Sequence, residues 1–280
     1  MEIWLFNLPF TLAFVFYLLG AVLALGALAL GERGRWLVGA SYVAIAIAAT
    51  VHTFMIGHRW IASGHPPLSG LFDAVVFFSW TTVVVFGVVE ILYRTRWLTL
   101  FVSLTEVAFF LYAWDCDPAI KPLMPVLKSA WLIIHVFCYM IGYGVMTVAS
   151  FLAVCYYVYL LREGDNETTQ RLDTLTYRLV AFGFPLLTAG VLTGAVWANR
   201  TWNRYWGWDP KETWSLISWI IYAVFLHLRY WSRFWKLTPQ GRHAVLNWIP
   251  ILGFGAIVFT FLLLKYLPSA AQSLHTYMER

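Results

Sequence analysis

Apolar runs of eighteen or more residues recur along the whole of this chain, and no other feature limits its fold so strongly. A run of that length, wound as a helix, is what a hydrocarbon layer of roughly 30 Å requires. Eight spans are delimited, at about 8–30, 36–57, 70–93, 97–113, 130–161, 176–198, 212–231 and 245–266. Inside lipid every backbone N–H and C=O must find a partner within the protein, so only helices and closed barrels cross. The apolar positions here show no period of two. The expectation is therefore an all-α, polytopic membrane protein with about eight transmembrane helices. Charged residues, at 12%, fall well below the roughly 25% of soluble domains. The first run, Leu8 to Leu30, is too long for a signal-peptide core and lacks a basic flank, so it reads as a retained helix. No low-complexity linker or soluble insert interrupts the runs, and the chain reads as one transmembrane domain over 1–280.

Loop charges give an orientation. The segments "GERGR", "YRTR", "LREGDNETTQRLDTLTYR" and "LRYWSRFWKLTPQGRH" hold eleven of the nineteen Lys and Arg residues. Positive charge accumulates on the cytoplasmic side, so both termini and the loop near residue 205 are expected to face outward. No basic block suits nucleic acid. The three cysteines, Cys116, Cys138 and Cys155, make neither CxxC nor CxxCH, so the chain is neither a thioredoxin-like redox protein nor itself a c-type cytochrome.

The stretch "TWNRYWGWDPKETW", residues 201–214, packs four of the sixteen tryptophans between two apolar runs. Part of it is local chemistry. Asp209 suits a helix N-cap, Pro210 the first helical position and Glu212 the third, an acidic form of the capping box. A cap does not need Trp202, Trp206 and Trp208 ahead of it, nor Trp214 in the next turn. The indoles can instead form a platform for a large planar macrocycle, with Arg200, Arg204 and Lys211 meeting its carboxylates. Haem, flat and amphipathic with two propionates, fits that description.

The segment "GAVWANRTWNRYWGWDPKETWSLISWIIYAVFLHLR" resembles the WWD signature of haem-handling proteins of cytochrome c maturation, about 197–219 here, and its "DPKETW" form is similar to the CcsA/ResC family. "SGHPPLSGLFDAVVFFSW" (63–80) resembles that family's loop and third span, and "SAWLIIHVFCYMIGYG" (129–144) agrees as well. Asn203 stands where the family usually has glycine, and Asp73 where it usually has glutamate. The resemblance implies cytochrome c biogenesis. A protein of this kind binds haem b, moves it across the membrane and presents it to the thiols of an apocytochrome CxxCH segment, as a subunit of a cytochrome c synthase. It implies a ResB/CcsB-type membrane partner; general frequency favours a bacterial inner membrane over a thylakoid, with the WWD loop outside. Two other readings stay open: a haem carrier or exporter without synthase activity, and a haem-free regulatory or assembly membrane protein.

Haem iron takes axial ligands, histidine above all. Seven histidines are present. His135 lies early in the fifth run and His275 on the outer tail; by resemblance these match the two external histidines that ligate the haem at the WWD segment. His227 falls seventeen residues after Pro210, about 25 Å deeper along an unbroken helix. By resemblance it is a ligand of a second, intramembrane haem site, with its other ligand from another chain. His52 is read near the outer end of the second run, His58 and His65 in an outer loop, and His243 as solvated. The residues alone leave Asp73 and Glu106 without assigned partners.

Overall fold

The structure, a computed structural model, describes residues 2–266 except 69, 94, 95 and 121. The described residues form α-helices and short helical turns, with no strand among them. The α-helices are α1 (Glu2–Leu30), α2 (Arg35–Ser63), α3 (Leu71–Tyr93), α4 (Arg96–Trp114), α5 (Ala130–Glu163), α6 (Glu167–Trp202), α7 (Pro210–Trp231), α8 (Pro239–Leu246) and α9 (Trp248–Val258). Among the described residues, six segments are long and apolar enough to cross a membrane: Leu8–Ser63, which holds both α1 and α2, then Leu71–Tyr93, Trp97–Trp114, Ala130–Glu163, Glu167–Trp202 and Pro239–Leu263. The protein is a polytopic helical membrane protein. Helix α7 is not among these six, because tryptophans, serines and charged residues dilute its apolar content.

The helices gather into two compact units, residues 1–123 and 124–280. In the first, α1 lies along α2 and α4, and α3 packs on α4. Its interior is not wholly apolar. Tyr17, His52, Ser79 and Glu106, one from each of the four helices, are all fully buried. Tyr17 Oη lies 3.2 Å from His52 Nδ1, His52 Nε2 lies 3.1 Å from the Val76 carbonyl, and Ser79 donates to Glu106 Oε2. With no water in hydrocarbon to solvate them, polar side chains from different helices turn to one another. Arg59 forms a buried ion pair with Asp73, both Nε and Nη2 lying 2.7 Å from Oδ1, and its Nη1 donates to the Pro118 carbonyl at 3.0 Å. That pair fastens the end of α2 to the start of α3 and to the loop after α4. Asp73 and Glu106 thereby gain partners, and His52 proves to be a satisfied core residue.

In the second unit α5 and α6 make the most extensive helix pair. A stripe of glycines on α6 lets the backbones approach. A methyl group at Gly183 would meet Val145 at 3.0 Å, and one at Gly190 would meet the Tyr139 ring at 2.6 Å. Small residues at such spacing are how helices pack closely in lipid, where no hydrophobic force drives them together. Helix α6 starts at 167 rather than near 176, because Asn166 and Thr169 form a capping box. Helix α9 packs on α5 and α7, and Ser150 donates to the Pro250 carbonyl at 2.7 Å. The eighth run is not one helix. It breaks at Asn247, whose Nδ2 donates to Asp173 Oδ1 at 2.8 Å, and it ends in a π-helical turn, Phe259–Leu263. Asp173 of α6, 2% exposed, takes Arg229 of α7 at 2.7 and 2.5 Å through both carboxylate oxygens. His243 Nε2 stands 3.7 Å from the same carboxylate, so it is half-buried rather than solvated.

Candidate functional site

The loop between α6 and α7 is built from its own backbone needs. Helix α6 ends at Asn203, which adopts the left-handed conformation (φ 57°) and closes the helix with N–H to the Asn199 carbonyl at 2.9 Å. Asparagine is the commonest substitute for glycine in that conformation, so Asn203 is compatible with a turn that glycine also makes. Asp209 caps α7, its Oδ1 accepting from Lys211 N at 2.9 Å, and Pro210 takes the first helical position. Glu212 completes the box and does more. Its Oε2 accepts from Gly207 N at 2.7 Å and from Asp209 N at 3.2 Å. One carboxylate therefore holds the backbone on both sides of Trp208. Trp208 itself lies at φ 55° and is 71% exposed. A bulky residue in that region is strained by about 1 kcal/mol or more and persists because its flanks are fixed.

His135 faces this loop from α5. It is half-buried. Its Nδ1 lies 2.8 Å from the Gly190 carbonyl of α6. A carbonyl can only accept, so Nδ1 carries the proton and Nε2 carries the lone pair suited to a metal. The ring stacks at 6.3 Å on Trp197 and meets Tyr139 edge-on at 4.9 Å. A methyl group at Gly194 would fall 2.4 Å from Nδ1, so α6 leaves the imidazole just enough room.

His135, Tyr139, Gly194, Trp197, Trp206 and Glu212 are among the residues that line a small pocket of about 40 Å3, well below the range for small-molecule sites. A ligand as large as a macrocycle would lie across its mouth. Trp206 is half-buried, and its Nε1 is buried without a hydrogen-bond partner among the described residues. Trp206 and Trp208 meet edge-to-face at 6.0 Å, and Trp202 meets Trp197 in the same manner at 4.9 Å. Trp197 is 2% exposed and donates to the Val126 carbonyl at 3.1 Å.

The remaining expected site residues are distributed as follows. Trp214 packs its ring 4.1 Å from Phe259 and does not line the pocket. Arg200, exposed on the last turn of α6, lies over Trp131 at 5.5 Å. The exposed Arg204 folds its guanidinium over Gly207, where a methyl group would meet Cζ at 2.6 Å. Lys211 sits on the first turn of α7. His227 is exposed on the unbroken α7, its Nδ1 2.7 Å from the Ala223 carbonyl, far along the helix from the pocket. His275 lies outside the described residues. The structure thus brings together His135, Trp206 and, one ring further out, Trp202 and Trp208. It adds Trp197, Tyr139 and Glu212. Trp197 stood inside the quoted motif, on an apolar helix where sequence alone does not separate a cavity wall from core.

Comparison with known proteins places these observations. Residues 68–271 match the family described as "Cytochrome C assembly protein". A "Cytochrome c biogenesis protein CcsA" of Guillardia theta is 35% identical over 219 residues, covering 67% of this chain and 72% of that one. Its namesake in Gloeobacter violaceus is 32% identical over 298 residues, covering 84% of this chain and 85% of that one. Among solved structures, "Cytochrome c Heme Lyase CcmF" superposes with a TM-score of 0.67 at 19% identity. The match covers 98% of this chain and 50% of the lyase, so this chain spans about half the lyase's length.

Proposed function

The chain belongs to the cytochrome c assembly protein family, and from that premise we propose that it carries haem b as cargo and presents it at the pocket beneath the 203–209 loop. Its part in cytochrome c assembly follows from the family; the haem site, its ligands and the partners are the reading argued here. The observation that carries it is His135: its Nδ1 is committed to the Gly190 carbonyl, leaving Nε2 as the coordinating nitrogen of a ring that lines an indole-walled pocket. Haem supplies the iron that imidazole binds and the vinyl groups that thiols attack. This chain's own residues orient and shield. His135 would supply one ligand to the iron and His275, from the tail, the other. Trp202, Trp206 and Trp208 with Trp197 flank the macrocycle and keep water from it, and Asp209 with Glu212 fixes the loop that carries them. Arg200, Arg204 and Lys211 stand on the rim as its cationic side. Trp214 supports α7 from behind through Phe259.

His227 serves a separate, deeper haem site. It shares one exposed face of α7 with Ile220, Val224 and Trp231, at positions i, i+4, i+7 and i+11, a spacing that suits a partner's transmembrane helix. A ResB/CcsB-type subunit docked there would supply the second ligand. Haem received near His227 on the cytoplasmic side moves to His135 on the outer side of a bacterial inner membrane. There an apocytochrome CxxCH segment adds its two thiols. Absorption spectra test this directly. The wild type should show a low-spin bis-histidine haem signature. His135→Ala and His275→Ala should each lose that signature at the outer site, and His227→Ala should lose only the inner population. A haem-free preparation made with ample haem supply overturns the reading. Covalent haem on an apocytochrome co-expressed with the partner separates synthase subunit from simple carrier.

A further inference from the structure

The expected recognisers of the cargo's carboxylates, Arg200 and Arg204, both lie exposed, one over Trp131 and one over Gly207. Exposed guanidinium groups contribute little, because water and salt screen them. The pocket wall holds a different donor. Trp206 Nε1 is buried and has no acceptor among the described residues. An indole N–H can only donate, and leaving it buried and unmet carries a penalty that an acceptor from the ligand removes. Its neighbours do not supply that acceptor. Neither the Glu212 carboxylate, whose Oε2 accepts from Gly207 N and Asp209 N, nor the His135 ring makes a hydrogen bond to it.

We propose that the Trp206 indole N–H recognises a carboxylate of the ligand held in this pocket, which, on the haem reading it rests upon, is a propionate. In a site shielded from water such a charge-assisted bond is stronger than one made on the rim. Trp206 is therefore an orienting residue. By holding one propionate inward it fixes which edge of the porphyrin faces out.

Trp206→Phe keeps an aromatic ring and removes the donor. Haem and iron etioporphyrin, an analogue with the same macrocycle and no carboxylates, are titrated into the purified wild-type and variant proteins and followed by Soret absorbance. The expected result is haem binding weakened about tenfold in the variant with etioporphyrin binding unchanged, which also shows that the variant's pocket is intact. Equal haem affinity in the two proteins overturns the proposal and leaves the N–H to a bound water. Equal weakening toward both porphyrins overturns it in favour of ring packing alone. If the wild type binds neither, or if His135→Ala leaves both titrations unchanged, the haem reading itself fails at this pocket.

Discussion

Removing the Glu212 carboxylate tests how the loop is held. In Glu212→Ala the bonds from Gly207 N at 2.7 Å and Asp209 N at 3.2 Å vanish together. Hydrogen bonds to a charged acceptor contribute roughly 1.5–3 kcal/mol each, and the longer one belongs at or below the low end. Their joint loss is about 3 kcal/mol. Trp208 would then be free to leave φ 55°, recovering about 1 kcal/mol of backbone strain. The net destabilisation of the closed loop is about 2 kcal/mol, or roughly a 30-fold larger open population. Trypsin reads that population, because Arg204 lies exposed within the loop and cleavage tracks local opening when reclosing is fast. Cleavage after Arg204 should accelerate about 30-fold in Glu212→Ala. Glu212→Gln, whose amide oxygen still accepts, should stay within a few-fold of wild type. An alanine variant cut at the wild-type rate would show that the cap at Asp209 holds the loop unaided, and the clamp argument would be wrong.

Three further perturbations follow from other contacts. Gly194→Ala puts a methyl group 2.4 Å from His135 Nδ1; it should displace the imidazole and lose the low-spin haem spectrum, at a packing cost of about 1–3 kcal/mol visible in thermal unfolding. Arg229→Ala leaves Asp173 buried without its bidentate partner and should lower stability by about 3–5 kcal/mol while leaving the haem titration at the pocket little changed. Asn203→Gly relieves the left-handed position at φ 57° and should raise the melting temperature slightly, by the equivalent of roughly 0.5–1 kcal/mol; a lower value would mean that the Asn203 side chain has a role of its own.

The membrane-spanning pattern was legible because hydrocarbon enforces it segment by segment. So was the Asp209–Pro210–Glu212 start of α7, since a cap is made within four residues. The long-range ties were not. Nothing near Asn247 announces that Asp173, 74 positions away in the chain, will bend the eighth run there. His243 looked solvated for the same reason, its charged neighbour being remote in sequence. His52 could be placed along its helix, but its partners, Tyr17 and Val76, come from other helices. Within the candidate site, the tryptophan-rich turn and His135 stood out by composition and motif. Trp197 and Tyr139 did not, because an aromatic in an apolar helix has the same appearance whether it fills a core or lines a cavity. Glu212 was visible as a capping residue, but its second bond, to Gly207 N, depends on the path of the loop.

Helices α6 and α7 are joined twice, through Glu212 and the turn at one end and through Asp173 and Arg229 near the other. A pair stapled at both ends is a closed frame. It can rack or twist, but it cannot fan apart like shears hinged at one pivot. Any widening between the two helices at the pocket end must therefore come from the turn itself.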